Sequence, residues 1–250
     1  MSESDKIPPD PKDGHHPKAR NASERGQLLR DLSADLRAAH PGALIVPARL
    51  FRRIVKRAGK KYGYHVEPSD KQCHPVHKAL LLEQGSLHDL DRREADLPDD
   101  IMLLLEPATH ELRDHSMDVL GRRNWRLLFH ALVRHELNRQ VTNGTLDEAA
   151  VWSMILNIGQ PQFDEIRALV HQDGLILDPH DDVAVYCEFV SLYLQLDVFE
   201  PDRYKRAFPH HADQQHIHTM VHDQVDVDAL LKRSRPPSCA SLAPASGNEV

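Results

Sequence analysis

Aromatic residues are scarce in this chain: two Trp, five Tyr and six Phe make up 5% of 250 residues, against 40% hydrophobic residues in all. A core has to be built mainly from Leu, Val, Ile and Ala, a composition that suits packed helices better than a β-sandwich. Cysteine is nearly missing as well. Cys73, Cys187 and Cys239 are an odd number, far apart and in no CxxC pattern, which argues against a disulfide framework or a Cys-based zinc module and leaves free thiols as the expectation. The eleven glycines are few for loops that cradle phosphate, and no GxGxxG, GxxxxGK or GxSxG pattern occurs. Enzyme classes that announce themselves by motif are mostly excluded, so a chain without catalytic activity of its own is expected.

Hydrophobic runs are short. None approaches the roughly 18 residues of a membrane span, and residues 1–14 are polar and Pro-rich, without the apolar segment of a signal peptide. The expectation is a cytoplasmic protein with no transmembrane segment. A net charge of −7 argues against a surface that coats nucleic acid on all sides, while leaving room for a local basic patch. Histidine is what the chain has in excess: with all 18 protonated the formal charge would move from −7 to +11, across the pH range in which imidazole titrates.

Residues 1–21 contain Pro8, Pro9, Pro11 and Pro17 among charged and small polar residues, too little apolar content to offset the entropy of ordering. They read as a disordered tail. Residues 233–250 have the Pro/Ser/Ala bias of a second tail or linker. The span 22–232 between them reads as one all-α domain of about seven to nine packed helices. Leu28, Leu29, Leu32 and Leu36 recur at helical spacing until His40-Pro41-Gly42 stops the run. A second helix is expected over 47–58. The segments 76–83 and 99–105 are short helix candidates, although Leu80 to Leu82 and Met102 to Leu105 serve equally as buried strands.

From residue 109 the pattern sharpens. Trp125, Leu128, Phe129 and Leu132 share one helical face while Leu127 and Ala131 make the other side partly apolar, so this helix is expected to be enclosed. Asn143-Gly144 ends it, and Thr145 with Glu148 fits a capping box opening a helix to residue 158. Gln160-Pro161 and Asp178-Pro179 open two more. On the second of these Ala184, Glu188, Ser191 and Gln195 form a polar stripe about 60° wide on an otherwise apolar helix, which marks it as central. A last helix is expected over 213–231, with Ile217, Met220, Val221 and Val225 facing inward.

Two groups of residues carry candidate chemistry. Arg49, Arg52, Arg53, Lys56, Arg57, Lys60 and Lys61 fall in a stretch without an acid, and Leu50, Phe51, Ile54, Val55 and Ala58 form its apolar stripe. Such a basic amphipathic helix can meet phosphates, a membrane surface or an acidic protein patch. Only Tyr62 and Tyr64, just beyond it, lean toward one partner type. The plainer reading is a solvated face. His211, His218 and His222 lie within about 40° of one another on the last helix if it starts early enough, with Asp226 continuing the stripe. That is zinc-chelating spacing, set against histidines that merely flank a buried face.

Other arrangements fail on spacing. His135-Glu136 begins like HExxH, but Arg139 occupies the second histidine position, and His130 and His135 point about 140° apart. Cys73, His74 and His77 form a weaker group split by Pro75. Cys187 among apolar neighbours reads as an inert buried thiol. Glu188 reads as part of a solvated seam, with a raised pKa only if that seam is covered. The sequence therefore points first to a helical protein-interaction or adaptor module with a protein partner. The alternative is a module that binds nucleic acid or an anionic membrane surface through residues 49–61. A metal-dependent enzyme using the C-terminal histidines comes third. No cofactor is required by any motif, zinc being the one candidate.

Overall fold

The computed structural model describes residues 21–61, 73–84, 93–172, 180–207 and 215–241. The chain is mostly helical, as its composition leads one to expect. Eleven α-helices occur among the described residues: α1 (Ala22–Ala39), α2 (Ala48–Lys61), α3 (Lys78–Gln84), α4 (Thr109–Asp114), α5 (Met117–Thr142), α6 (Glu148–Ile158), α7 (Gln160–Gln172), α8 (Asp182–Phe199), α9 (Pro201–Ala207), α10 (Gln215–His222) and α11 (Val227–Ser234). None is long and apolar enough to cross a membrane.

Helices α5 and α8 form the central pair. The 26-residue α5 buries residues around most of its circumference, including Trp125, Leu128 and Phe129 on one side and Leu127 and Ala131 on the other. The apolar pattern of α8 is nearly uniform, and Val185, Tyr186, Phe189, Val190, Tyr193 and Leu194 are each at most 1% exposed. Its polar stripe is covered too: Glu188 and Ser191 are fully buried and Gln195 is 8% exposed. The solvated seam expected there does not exist, because α5 packs over it.

Among the described residues three short strands interrupt the helices: β1 (Ala43–Val46), β2 (His74–His77) and β3 (Asp100–Leu105). They make one sheet in the order β1-β3-β2, with β1 parallel and β2 antiparallel to β3. Residues 99–105 are thus a strand rather than a helix. The run looks uniformly apolar because both sheet faces are buried. Met102 and Leu104 join the large helical core, whereas Ile101 and Leu103 join a second core with Leu50, Phe51, Ile54 and Val55 of α2 and Leu80 and Leu81 of α3. Gly42 permits the close approach of β3: its carbonyl accepts a hydrogen bond from Met102 N at 2.8 Å, and a Cβ there would stand 2.5 Å from the Asp100 carbonyl.

Three helix boundaries differ from expectation for capping reasons. The helix expected to open at Asp178-Pro179, which lie outside the described residues, starts as α8 at Asp182 behind Asp181, whose carboxylate accepts from Ala184 N at 2.9 Å. The box over Thr145 and Glu148 gives way to Asp147, whose carboxylate accepts from Ala150 N at 2.8 Å. The single helix over 213–231 is two helices, since Asp226 takes extended backbone and caps α11 through Ala229 N at 2.9 Å. Asp has more to gain as an N-cap than inside a helix.

The C-terminal boundary also moves. Residues 1–20 lie outside the described set, but 233–241 are folded against the core. Ser234 is fully buried and accepts a hydrogen bond from Trp125 Nε1 at 3.0 Å. The Arg235 guanidinium lies 4.7 Å above the Trp125 ring. The turn Pro237–Cys239 places Ser238 on Asp35 of α1, with its N–H at 2.9 Å and its hydroxyl at 2.5 Å from the two carboxylate oxygens. Cys239 is fully buried. A Pro/Ser-rich composition resembles that of a linker, yet this segment finds its energy in a few specific polar contacts. Truncation after residue 233 should therefore cost about 2–4 kcal/mol, through lost burial over Trp125 and unpaired polar groups. Thermal unfolding of the shortened chain measures this, and an unchanged midpoint would mean the segment contributes nothing.

Candidate functional site

The basic helix is real and its two faces are cleanly divided. Leu50, Phe51, Ile54 and Val55 of α2 are 6%, 1%, 0% and 2% exposed, sunk into the second core. Arg49, Arg52, Arg53, Lys56 and Arg57 are all exposed. No ion pair is formed by these five among the described residues. The side chains of Lys60 and Lys61 lie outside the described set, as do Tyr62 and Tyr64. The first turn of α2 contains no acidic residue.

The histidine group expected on the last helix is rearranged by the break at 223–226. His211 lies outside the described residues, and Asp226 is occupied as the cap of α11. His218 and His222 stay together on α10, their ring centroids 4.1 Å apart at 42°. The third member comes from α8: Asp197 Oδ2 is 3.1 Å from His222 Nε2. Donor atoms of Asp197, His218 and His222 all lie within 4.8 Å of one another, at half-buried positions. Tyr193 closes the far side, with its hydroxyl 3.4 Å from His218 Nδ1. Burial, and then the neighbouring His222, lower the His218 pKa, favouring neutral imidazole. Asp197 escaped the sequence reading because it belongs to another helix, 25 residues away from His222.

A third cluster lies in the core. Glu188 of α8 is 2.7 Å from Arg134 Nη1 and 3.0 Å from His130 Nε2, both on α5. Burial alone would push this carboxyl up, but Arg134 and then His130 outweigh it and hold Glu188 below its ordinary value. The seam is covered, yet the shift runs opposite to the one that covering by itself would bring. His74 of β2 lies on the α2 side of the sheet against Phe51, and burial, then the charge of Arg134, brings its pKa down to about 4. Arg134 is 30% exposed along its side chain, so it ties the buried carboxylate to the surface.

The remaining candidates separate. Cys73 enters the helical core, His74 sits edge-on to Phe51 with centroids 5.3 Å apart, and His77 is exposed, its Nδ1 accepting from Ala79 N at 3.2 Å. His135 turns toward Asp100 at 3.8 Å while His130 meets Glu188, which is the divergence their spacing implies. Burial raises the thiol pKa of Cys73, of Cys187 (to about 12) and of Cys239, so none of the three is a ready nucleophile. A cavity of about 280 Å³ lined by Val119, Arg122, Arg123, Arg126, Phe199 and Glu200 has no counterpart in the sequence reading. Two of its cations are already paired, Arg123 with Glu111 and Arg126 with Glu200.

Comparison with known proteins brings no family model, no curated protein and no solved structure that matches this chain.

Proposed function

We propose that this protein docks on the phosphate backbone of nucleic acid through the exposed face of α2. The observation that carries the reading is that Arg49, Arg52, Arg53, Lys56 and Arg57 project into solvent with no ion pair among the described residues, although the chain as a whole has an excess of acid. These five positions span nine residues, about 12 Å of helix axis from first to last, enough to reach successive phosphates. Membrane insertion fits less well, because the apolar stripe that would enter a bilayer is already buried in the protein's own core. A protein partner fits less well because the exposed face of α2 offers no apolar or aromatic anchor of the kind that dominates protein interfaces. Phosphate contacts need none, and they carry no sequence information, so binding is expected to be sequence-independent.

The test is Arg52→Gln, Arg53→Gln, Lys56→Gln and Arg57→Gln together, which preserves helix propensity while removing four charges. If the four each neutralise a phosphate of a labelled 20-bp DNA duplex, native affinity should fall about 50-fold between 50 and 150 mM salt. The quadruple variant should bind far more weakly and with a nearly flat salt dependence. Equal binding by both proteins, or binding to anionic vesicles alone, would overturn the reading.

A second reading, the protein-binding adaptor, is favoured by a different surface. Trp152 and Leu156 lie one turn apart on α6 and are 50% and 71% exposed, and large apolar side chains placed side by side in solvent are common at protein interfaces.

A further inference from the structure

We propose that Asp197, His218 and His222 form a zinc-binding site that staples α10 to α8, with a fourth position open to water. Three donors of the types zinc prefers, two imidazoles and one carboxylate, converge from two helices within 4.8 Å of one another. The His222 Nε2 to Asp197 Oδ2 separation of 3.1 Å is close to the edge of a tetrahedron drawn around zinc with bonds of 2.0–2.1 Å, about 3.3 Å. Closing the third donor onto the ion takes side-chain movement on the order of 1 Å, well within what half-buried rotamers supply.

A plain His–Asp ion pair would need only His222. It does not account for His218, whose ring lies 4.1 Å from that of His222. Two imidazoles in ring contact are poorly placed as neighbouring cations and well placed as neutral donors to one dication, whose charge the Asp197 carboxylate partly offsets. The spacing of four residues on α10 aims both rings the same way. The Tyr193 hydroxyl, 3.4 Å from His218 Nδ1, stands where metal sites keep a second group that orients a ligand ring. With His222 and Asp197 30% and 28% exposed along their side chains, solvent reaches the cluster. Three protein ligands plus water is the coordination of zinc sites that keep an open position.

The experiment uses the full chain, stripped with EDTA, dialysed at pH 7.5 and titrated with zinc chloride against a chromophoric chelator. The expected result is one tight equivalent per chain in the native protein and a loss of affinity of about 100-fold in His218→Gln, His222→Gln and Asp197→Asn, each checked for folding by circular dichroism. Cobalt(II) in place of zinc should give visible bands of a four- or five-coordinate nitrogen and oxygen site, without the near-ultraviolet thiolate charge transfer that Cys ligands would produce. This spectrum reads the native chain alone, so the proposal stays falsifiable if a variant fails to fold. Uptake of no tight equivalent, an equivalent retained unchanged in the three variants, or a thiolate signature would each overturn it.

Discussion

Phe189→Ala should destabilise the protein by about 3–5 kcal/mol, the usual cost of emptying a fully enclosed aromatic site. Phe189 is 0% exposed at the middle of α8 and meets the Tyr193 ring edge-on at a centroid distance of 5.7 Å. The loss combines the transfer of a phenyl ring with a cavity that two packed helices cannot readily close. For a domain of this size it corresponds to a fall in Tm of about 10 °C. Urea unfolding gives the free energy directly, and a loss below about 1 kcal/mol would mean that the centre of α8 is not the centre of the core.

Arg134→Met should cost about 3 kcal/mol at pH 7.5, because it leaves the fully buried Glu188 carboxylate without its nearest cation. The lower end of the usual range applies, since Arg134 is 30% exposed and water can follow the vacated path. The pH dependence distinguishes this loss from simple packing. In the native protein the folded pKa of Glu188 is depressed, so its stabilisation is complete above the unfolded value of about 4.3 and disappears as pH falls through the lower folded value. Without Arg134 burial dominates and the folded value moves above the unfolded one. The sign then inverts: stability is fully present at low pH and is lost as pH rises through the new folded value. The deficit of the variant should therefore shrink between pH 7.5 and 5. His74, brought down to about 4 by burial and then by Arg134, loses part of that depression with the arginine, and a proton gained there acts in the same direction; His130 also lies against the carboxylate. A deficit of equal size at both pH values would show that Glu188 is hydrated. Adding Glu188→Leu to Arg134→Met should recover part of the loss, as expected when both members of a buried pair are removed together.

The buried pair also bears on the two proposed surfaces. Glu188, Arg134 and His130 tie α8 to α5, and the sheet joins this helical core through Met102 and Leu104 while α2 packs on its other face against Ile101 and Leu103. Asp197 lies nine positions beyond Glu188 on the same helix. The basic face belongs to α2 over the second core and the histidine pair to α10 against α8 in the first, and neither proposal requires the other.

Whatever depends on neighbours along the chain is legible in the amino-acid order. Periodicity placed α1, α2 and α5. The near-uniform apolarity of residues 183–198 identified α8 as central. The run of cations without acids marked α2 as a two-faced helix, and the spacing of four put His218 and His222 on one side of α10. Each of these follows from local geometry, in which residues three and four apart share a face. Tertiary structure decided the remainder. The run at 101–104 is ambiguous between helix and strand because a strand buried on both faces loses its alternation; only pairing with β1 and β2 settles it. The stripe containing Glu188 looks solvated along the chain, and it is buried because Arg134 of a different helix supplies the compensating charge, with His130 packed 3.0 Å from the same carboxylate. The segment 233–241 has the composition of a linker, and it is ordered by Trp125 and Asp35, more than a hundred and about two hundred residues away. Asp197 joins His222 for the same reason. Long-range contacts of this kind arise from packing, and no regularity of spacing along the chain encodes them.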